Sequence, residues 1–253
     1  MTEVFHFEKD YRIHVYDTGP DTRLTLPTLF DYFQDIASDH AEKLGFGRGD
    51  LMKTGRFWAL SRMYAEIENW PLWGEQIHIR TWPNGTDKLF ALRNYEAKYP
   101  DGRNIAHATS SWLILDQATR RIQRPESSLS HFRDHFRPSD SPVRYASKLE
   151  TEHDNPEISD SFRVKISDLD VNLHTNNVKY LKWIIDTYDL DFVMKNIPWS
   201  VEINYLSESL FNEEIIIKTS ADRNADGYFN HSVFRISDNK ELCRVRLSWR
   251  EKR

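Results

Sequence analysis

The chain has 253 residues, 39% of them hydrophobic and 13% aromatic, enough apolar surface for one large core or two of about 100 residues each. Its formal net charge of -5 excludes a general electrostatic attraction to nucleic acid or anionic lipid, so an acidic partner needs a local basic patch. A single cysteine, Cys243, excludes an internal disulfide and any cysteine-based zinc spacing, and no run approaches the roughly 18 apolar residues of a membrane span. With no basic and apolar leader at the start, a cytoplasmic location is the expectation.

Phe5, Phe7, Tyr11, Ile13 and Val15 alternate with polar residues, which predicts one or two half-buried strands. A helix follows from Leu26 to Leu44, with Leu26, Leu29, Phe30, Phe33, Ile36, Ala37, Ala41 and Leu44 at helical spacing, Pro27 in the first turn and Gly45 as a stop. Between Trp58 and Asp116, the runs WALSRMYAEI, EQIHIRTW, LFALRNYEAKY and ATSSWLILD are split by turn residues such as Pro83-Asn84-Gly85. They predict four strands in an antiparallel meander.

From about Arg124 to Asp160 the text turns to Pro, Ser and charge. We expect a first domain over 1–125, a linker over 126–160 and a second domain over 161–253. The order of elements then restarts. FRVKI reads as a strand, DLDVNLHTNN as a polar turn and VKYLKWIIDTYDLDFVMKN as one helix. WSVEINYL, EEIIIKTSA, YFNHSVFRI and LCRVRLSWR read as strands. Ile77 and Ile215 are 138 residues apart, and Trp112 and Trp249 are 137 apart, so two unrelated landmarks share nearly one offset. An internal duplication follows, of α+β class, each copy a sheet wrapped around a central helix.

The turn before the second helix, Asp168 to Asn177, concentrates polar types and allows two readings. Asp170 and Asn172 make local Asx turns while Thr175 or Asn176 caps the helix. Alternatively the stretch is extended, and Asp170, Asn172 and His174, two apart, point one way as a cluster.

The run Asp168-Leu169-Asp170-Val171-Asn172-Leu173-His174-Thr175-Asn176-Asn177-Val178-Lys179-Tyr180, reaching Trp183, resembles the second domain of the acyl-acyl carrier protein thioesterases of plants and bacteria. RFWALSRM, PLWGEQIHIRTW and TRRIQRPES extend the resemblance over nearly the whole chain. The resemblance implies a tandem hotdog fold and hydrolysis of fatty acyl thioesters on acyl carrier protein, which ends chain elongation in fatty acid biosynthesis. It also implies catalytic positions at Asp170, Asn172, His174 and, on the next strand, Glu208, and an acyl slot in the first domain along the Leu26 to Leu44 helix. In plant members a cysteine follows that acid; here Ser209 does, and Cys243 shares an apolar strand face with Val245, Leu247 and Trp249 and is no substitute.

The departure directs the chemistry to carboxylate and imidazole. We expect Glu208, buried near Asp170, as general base for water, with Asn172, His174 and backbone N–H groups near Asn176 stabilising the oxyanion. Asp170 either orients His174 or attacks the thioester itself. No metal is expected, because the ten histidines are scattered without ligand spacing, and the resemblance implies no cofactor, since the substrate brings phosphopantetheine on its carrier. For the acidic carrier, two basic clusters qualify, Arg120, Arg121 and Arg124, and Arg244, Arg246 and Arg250 with Lys252 and Arg253. Family members are often homodimers, although two hotdogs in one chain already form a paired unit. The other readings are a coenzyme A thioesterase or hydratase on the same fold and a non-catalytic acyl-binding module. Trp58, Trp73, Trp82, Trp112, Trp183 and Trp249 are expected mostly in the core, the alternative being that some line the acyl slot.

Overall fold

A computed structural model describes residues 6–125, 140–150, 157–221 and 227–252. The chain divides into two compact units, Met1–Ala146 and Ser147–Arg253. The expected linker over 126–160 falls largely on 126–139 and 151–156, outside the described residues.

In the first unit, β1 (Phe7–Arg12) alternates half-buried odd and exposed even positions, as its sequence requires. A 3-10 turn at Val15–Asp17 leads to α1 (Leu26–Lys43), capped by the Thr25 hydroxyl, which accepts the Thr28 N–H at 3.2 Å. α1 buries Leu26, Leu29, Phe30, Phe33, Ile36, Ala37 and Ala41, and Phe33 meets the Tyr95 ring at 5.0 Å. Then come α2 (Arg48–Lys53), β2 (Arg56–Ile67), β3 (Gln76–Asp87), β4 (Phe90–Lys98), β5 (Asn104–Asp116) and the short β6 (Ile122–Gln123).

The strand order is β1-β3-β4-β5-β2, all antiparallel, with β6 beside β5. Only β3, β4 and β5 form a meander. β2, expected beside β3, pairs instead with β5 from Arg56↔Asp116 to Ile67↔Ala106, leaving the free side of β3 to β1. Hydrophobic alternation reports which face of a strand is buried but not which neighbour it takes, so this error was built into the sequence reading. The core also holds a polar group. Arg93 is buried, its guanidinium donating to Thr81 Oγ1 at 3.2 Å and lying 3.1 Å from His40 Nδ1, and burial lowers its pKa.

The second unit repeats the plan. β7 (Glu157–Arg163) is followed by a 3-10 turn at Ile166–Asp168, α3 (Asn177–Ile185), α4 (Leu190–Lys195), β8 (Asn196–Tyr205), β9 (Glu214–Ala221), β10 (Tyr228–Arg235) and β11 (Lys240–Glu251), in the order β8-β11-β10-β9-β7. Read from β7 to β8, this is the order of the first unit, with β7, β9, β10, β11 and β8 in the places of β1, β3, β4, β5 and β2. Both units are α+β hotdogs. The duplication landmarks occupy matching places: Ile77 opposes Tyr11 of β1, and Ile215 opposes Phe162 of β7.

The single helix expected over 178–196 is broken between Asp186 and Asp189. Asp and Thr compete for helical hydrogen bonds, and Thr187 turns its hydroxyl back to the Ile184 carbonyl at 2.8 Å. Tyr188 thereby reaches an aromatic cluster, 4.8 Å from Trp249 and 5.2 Å from Phe192 between ring centroids. Most tryptophans are buried or half-buried, but Trp73 is 60% exposed.

The described part of the expected linker is tied down. Tyr145 donates to Asn94 Oδ1 at 2.6 Å in the first unit. In the second, buried Glu202 accepts both the N–H and the hydroxyl of Ser147, and Asn204 accepts the Leu149 N–H at 2.9 Å while donating to the Ser147 carbonyl at 3.0 Å. A composition of Pro, Ser and charge reads as loose chain, whereas these backbone groups are satisfied by buried side chains. Asn204→Ala strands a buried N–H and a carbonyl and should destabilise the protein by about 2 kcal/mol or more. Faster proteolytic cleavage within residues 140–150 checks this, and unchanged cleavage would refute the tie.

Candidate active site

The loop before α3 builds itself from short side chains. The Asp168 carboxylate accepts the Lys165 N–H at 2.8 Å and closes the 3-10 turn, and the Asp168 carbonyl accepts the Asn176 N–H at 2.8 Å. Between them Leu169 and Thr175 form an antiparallel bridge, the Asp170 N–H donates to the His174 carbonyl at 2.8 Å, and the chain reverses through Leu173 at φ 63°. Asp170 Oδ1 accepts the N–H groups of Asn172 at 2.7 Å and His174 at 3.2 Å. Asn176 caps α3, its Oδ1 accepting the Val178 N–H at 2.9 Å.

The local-turn reading therefore describes this stretch and the extended one does not. Asp170 faces the loop's own backbone, because its carboxylate is a strong charged acceptor for the N–H groups of Asn172 and His174. Asn172 is exposed and its amide lies 3.4 Å from Asp170 Oδ2. The N–H groups of Asn176, Val178 and Lys179 are already engaged, which removes them as oxyanion donors.

The partner segment follows β8. The N–H groups of Leu206 and Ser207 both donate to the Leu242 carbonyl, ending the strand, and Glu208 stands in the turn beyond it instead of on the strand. This turn is fixed at its far end: Glu213 accepts the Leu210 N–H at 2.9 Å and is gripped by Arg235 at 2.8 and 3.1 Å. Leu210 bridges His174, and the Ser209 carbonyl accepts the Thr175 N–H at 2.9 Å. As a result His174 Nε2 lies 3.4 Å from Glu208 Oε2.

Two residues 34 positions apart thus meet, with the His174 side chain 21% exposed and that of Glu208 41%. The deep burial expected for Glu208 is not found; the pair opens to water. Of the four sequence-predicted positions, the structure joins His174 to Glu208 and joins Asp170 to the backbone of Asn172 and His174. Cys243 is fully buried, which pushes its thiol pKa up and makes it inert. Among the described residues no group of three or more His, Cys, Asp and Glu is arranged to hold a metal ion.

A feature missed in the sequence is a buried hydroxyl cluster behind the pair: Ser209 Oγ lies 2.7 Å from Thr175 Oγ1 and 2.8 Å from the Tyr180 hydroxyl. No periodicity signals such a contact; the only hint was the serine after Glu208.

The first unit contains the same loop at an offset of 151 residues, with a return segment at an offset of 138, although Gly19 supplies neither of the side-chain bonds of Asp170. Asp17 accepts the His14 N–H, Gly19 donates to Arg23, Thr22 turns at φ 62°, Leu24 donates to Pro71 and Arg23 bridges Leu72. In place of Asp170, Asn172 and His174 it carries Gly19, Asp21 and Arg23, and the position of Glu208 is taken by buried Trp70. Only the second copy pairs an acid with an imidazole.

Of the two basic clusters, the second is largely committed. Arg244 is held by Glu241 at 2.5 Å and by the Leu149 carbonyl at 2.6 Å, Arg246 donates to Asn230 and Lys252 to the Val193 carbonyl. Arg253 lies outside the described residues. Arg120, Arg121 and Arg124 are exposed, Arg120 lying 5.1 Å from the Phe57 ring centroid.

A family model described as the acyl-ACP thioesterase N-terminal domain matches residues 5–130, and one described as its C-terminal domain matches residues 151–251. The chain belongs to the acyl-ACP thioesterase family. It is 27% identical to a chloroplastic palmitoyl-acyl carrier protein thioesterase of Gossypium hirsutum over 97% of this chain and 64% of that one. Identity to a chloroplastic oleoyl-acyl carrier protein thioesterase of Arabidopsis thaliana is 25% over 100% of this chain and 78% of the relative. The chain spans 62–64% of the length of several such plant relatives. The fold matches the crystal structure of an acyl-ACP thioesterase from Bacteroides thetaiotaomicron at TM-score 0.88 and 24% identity, covering 99% of this chain and 100% of that one. It also matches a 12:0-ACP thioesterase from Umbellularia californica at 0.87 and 21%, covering 98% of each.

Asp170→Ala should free the amides of Asn172 and His174. Each loses a bond to a charged acceptor worth about 1.5–3 kcal/mol, so their hydrogen exchange should accelerate about ten-fold or more. Unchanged exchange at both would show that Asp170 does not shape the loop.

Proposed function

We propose that this chain is a thioester hydrolase that cleaves fatty acyl-acyl carrier protein to free fatty acid and carrier protein. The observation that carries the reading is the 3.4 Å approach of His174 Nε2 to Glu208 Oε2 at a water-accessible spot. Membership of the family supports it.

Glu208 takes a proton from water while the water oxygen bonds to the thioester carbonyl carbon. The tetrahedral oxyanion then collapses, the C–S bond breaks and the thiolate departs. A thiol leaving group has a pKa near 8.5, so the departing sulfur needs little protonation and the demand falls on water activation. His174 and Asn172 hold the carbonyl and its developing negative charge. Asp170, whose Oδ1 accepts two backbone N–H groups, shapes the loop that carries them.

No resident cofactor enters this scheme; the substrate's phosphopantetheine delivers the acyl group. The fatty acyl chain is assigned to the first unit along the apolar face of α1, and the acidic carrier to Arg120, Arg121 and Arg124. A cytoplasmic location belongs to the same proposal. No helix among the described residues is long and apolar enough to cross a membrane.

The test is release of free thiol from a panel of acyl carrier thioesters, with the matching coenzyme A thioesters alongside. Wild-type protein should turn over the carrier substrates faster. Glu208→Gln and His174→Ala should each lose about 100-fold or more in kcat, as expected for general base and oxyanion groups. Full activity in both variants refutes the site, faster coenzyme A turnover reassigns the substrate, and binding without turnover makes the chain an acyl-binding module.

A further inference from the structure

His174 is followed in the chain by Thr175, and Glu208 by Ser209. These two following residues are joined twice, by the Thr175 N–H donating to the Ser209 carbonyl at 2.9 Å and by their hydroxyls at 2.7 Å. The Tyr180 hydroxyl, from the first turn of α3, adds a third point at 2.8 Å from Ser209 Oγ. Ser209 is completely buried and Thr175 and Tyr180 nearly so. Burial raises the pKa of the Tyr180 phenol and keeps its proton in place. Three hydroxyls joined by two links use two of their three protons, which fixes the chain's direction to one of a few arrangements and makes it rigid.

The first unit shows what the hydroxyls are not needed for. Its copy of the loop makes the same backbone bonds, including Leu24 N–H to the Pro71 carbonyl at 2.8 Å, the counterpart of Thr175 to Ser209. There the positions of Thr175, Ser209 and Tyr180 are Leu24, Pro71 and Leu29, all buried and all apolar. An apolar filling therefore suffices for the fold, and burying three hydroxyls instead carries a desolvation cost. The hydroxyls occur in the copy that also carries the imidazole and the acid.

We propose that the Thr175–Ser209–Tyr180 hydroxyl chain positions the acid–imidazole pair, locking the segment of His174 to that of Glu208 at the separation water activation requires. The assignment rests on the proposed role of that pair. The three are positioning residues, since each acts through its neighbour. A second link beside the backbone bond stops the two segments from rocking about it, and displacement of a reacting group by about 1 Å lowers rates by as much as 100-fold.

The experiment measures kcat and KM on an acyl carrier thioester for Ser209→Ala, Tyr180→Phe, Thr175→Val and Thr175→Ser, and repeats Ser209→Ala in the Glu208→Gln background. Ser209→Ala, which removes both links, should lower kcat about ten-fold with KM changed less than about two-fold. Tyr180→Phe should cost less, and Thr175→Val should lower kcat where Thr175→Ser, keeping the hydroxyl, restores it. In the Glu208→Gln background Ser209→Ala should cost nothing further, because the group it positions is gone. An equal loss in both backgrounds, or full kcat in Ser209→Ala while Glu208→Gln is inactive, overturns the inference and leaves the site reading standing. Full activity of Glu208→Gln removes the site reading itself. Should Ser209→Ala fail to fold, Tyr180→Phe decides alone, and an unchanged kcat there overturns the proposal.

Discussion

The backbone bond from Thr175 N–H to the Ser209 carbonyl, with the His174–Leu210 bridge beside it, is the constraint on which the rest of the site depends. It lays two irregular segments antiparallel for a few residues, outside any named strand, and so brings an imidazole and a carboxylate from distant parts of the chain together. Each segment arrives already stiff. One is folded around the carboxylates of Asp168 and Asp170, the other anchored by Glu213 and Arg235. Loops held in this way give a scaffold's precision to side chains that remain open to solvent.

The duplication clarifies which parts of this arrangement belong to the fold and which to chemistry. Both units share the 3-10 turn, the reversal at a residue with positive φ, the capped helix and the antiparallel return. A non-glycine residue in the left-handed region costs energy, and its presence at Thr22 and at Leu173 shows the turn to be a requirement of the architecture. What differs is the content: Gly19, Asp21, Arg23 and Trp70 against Asp170, Asn172, His174 and Glu208. One framework has been kept twice and equipped with an acid and an imidazole once.

Asp170 shows how one residue satisfies two readings. By residue type it is an Asx-turn former, and by resemblance it is a catalytic position. The structure has it accept the N–H groups of Asn172 and His174, so a local hydrogen-bonding preference sets the direction of the side chains beside it.

The sequence alone determined the α+β class, the two copies, the face of β1 and α1 that is buried, a polar cap at Thr175 or Asn176 and the inert setting of Cys243. These follow from periodicity and short-range hydrogen bonding, which act within a few residues and leave a readable pattern. The tertiary structure decided that β2 pairs with β5, that Tyr188 beyond the broken helix packs on Trp249, that Glu208 meets His174 and that Ser209 joins Thr175 and Tyr180. Each of these is a contact between residues far apart in the chain, selected by how whole elements pack, and no local pattern of residue types encodes which distant partner will satisfy a given side chain.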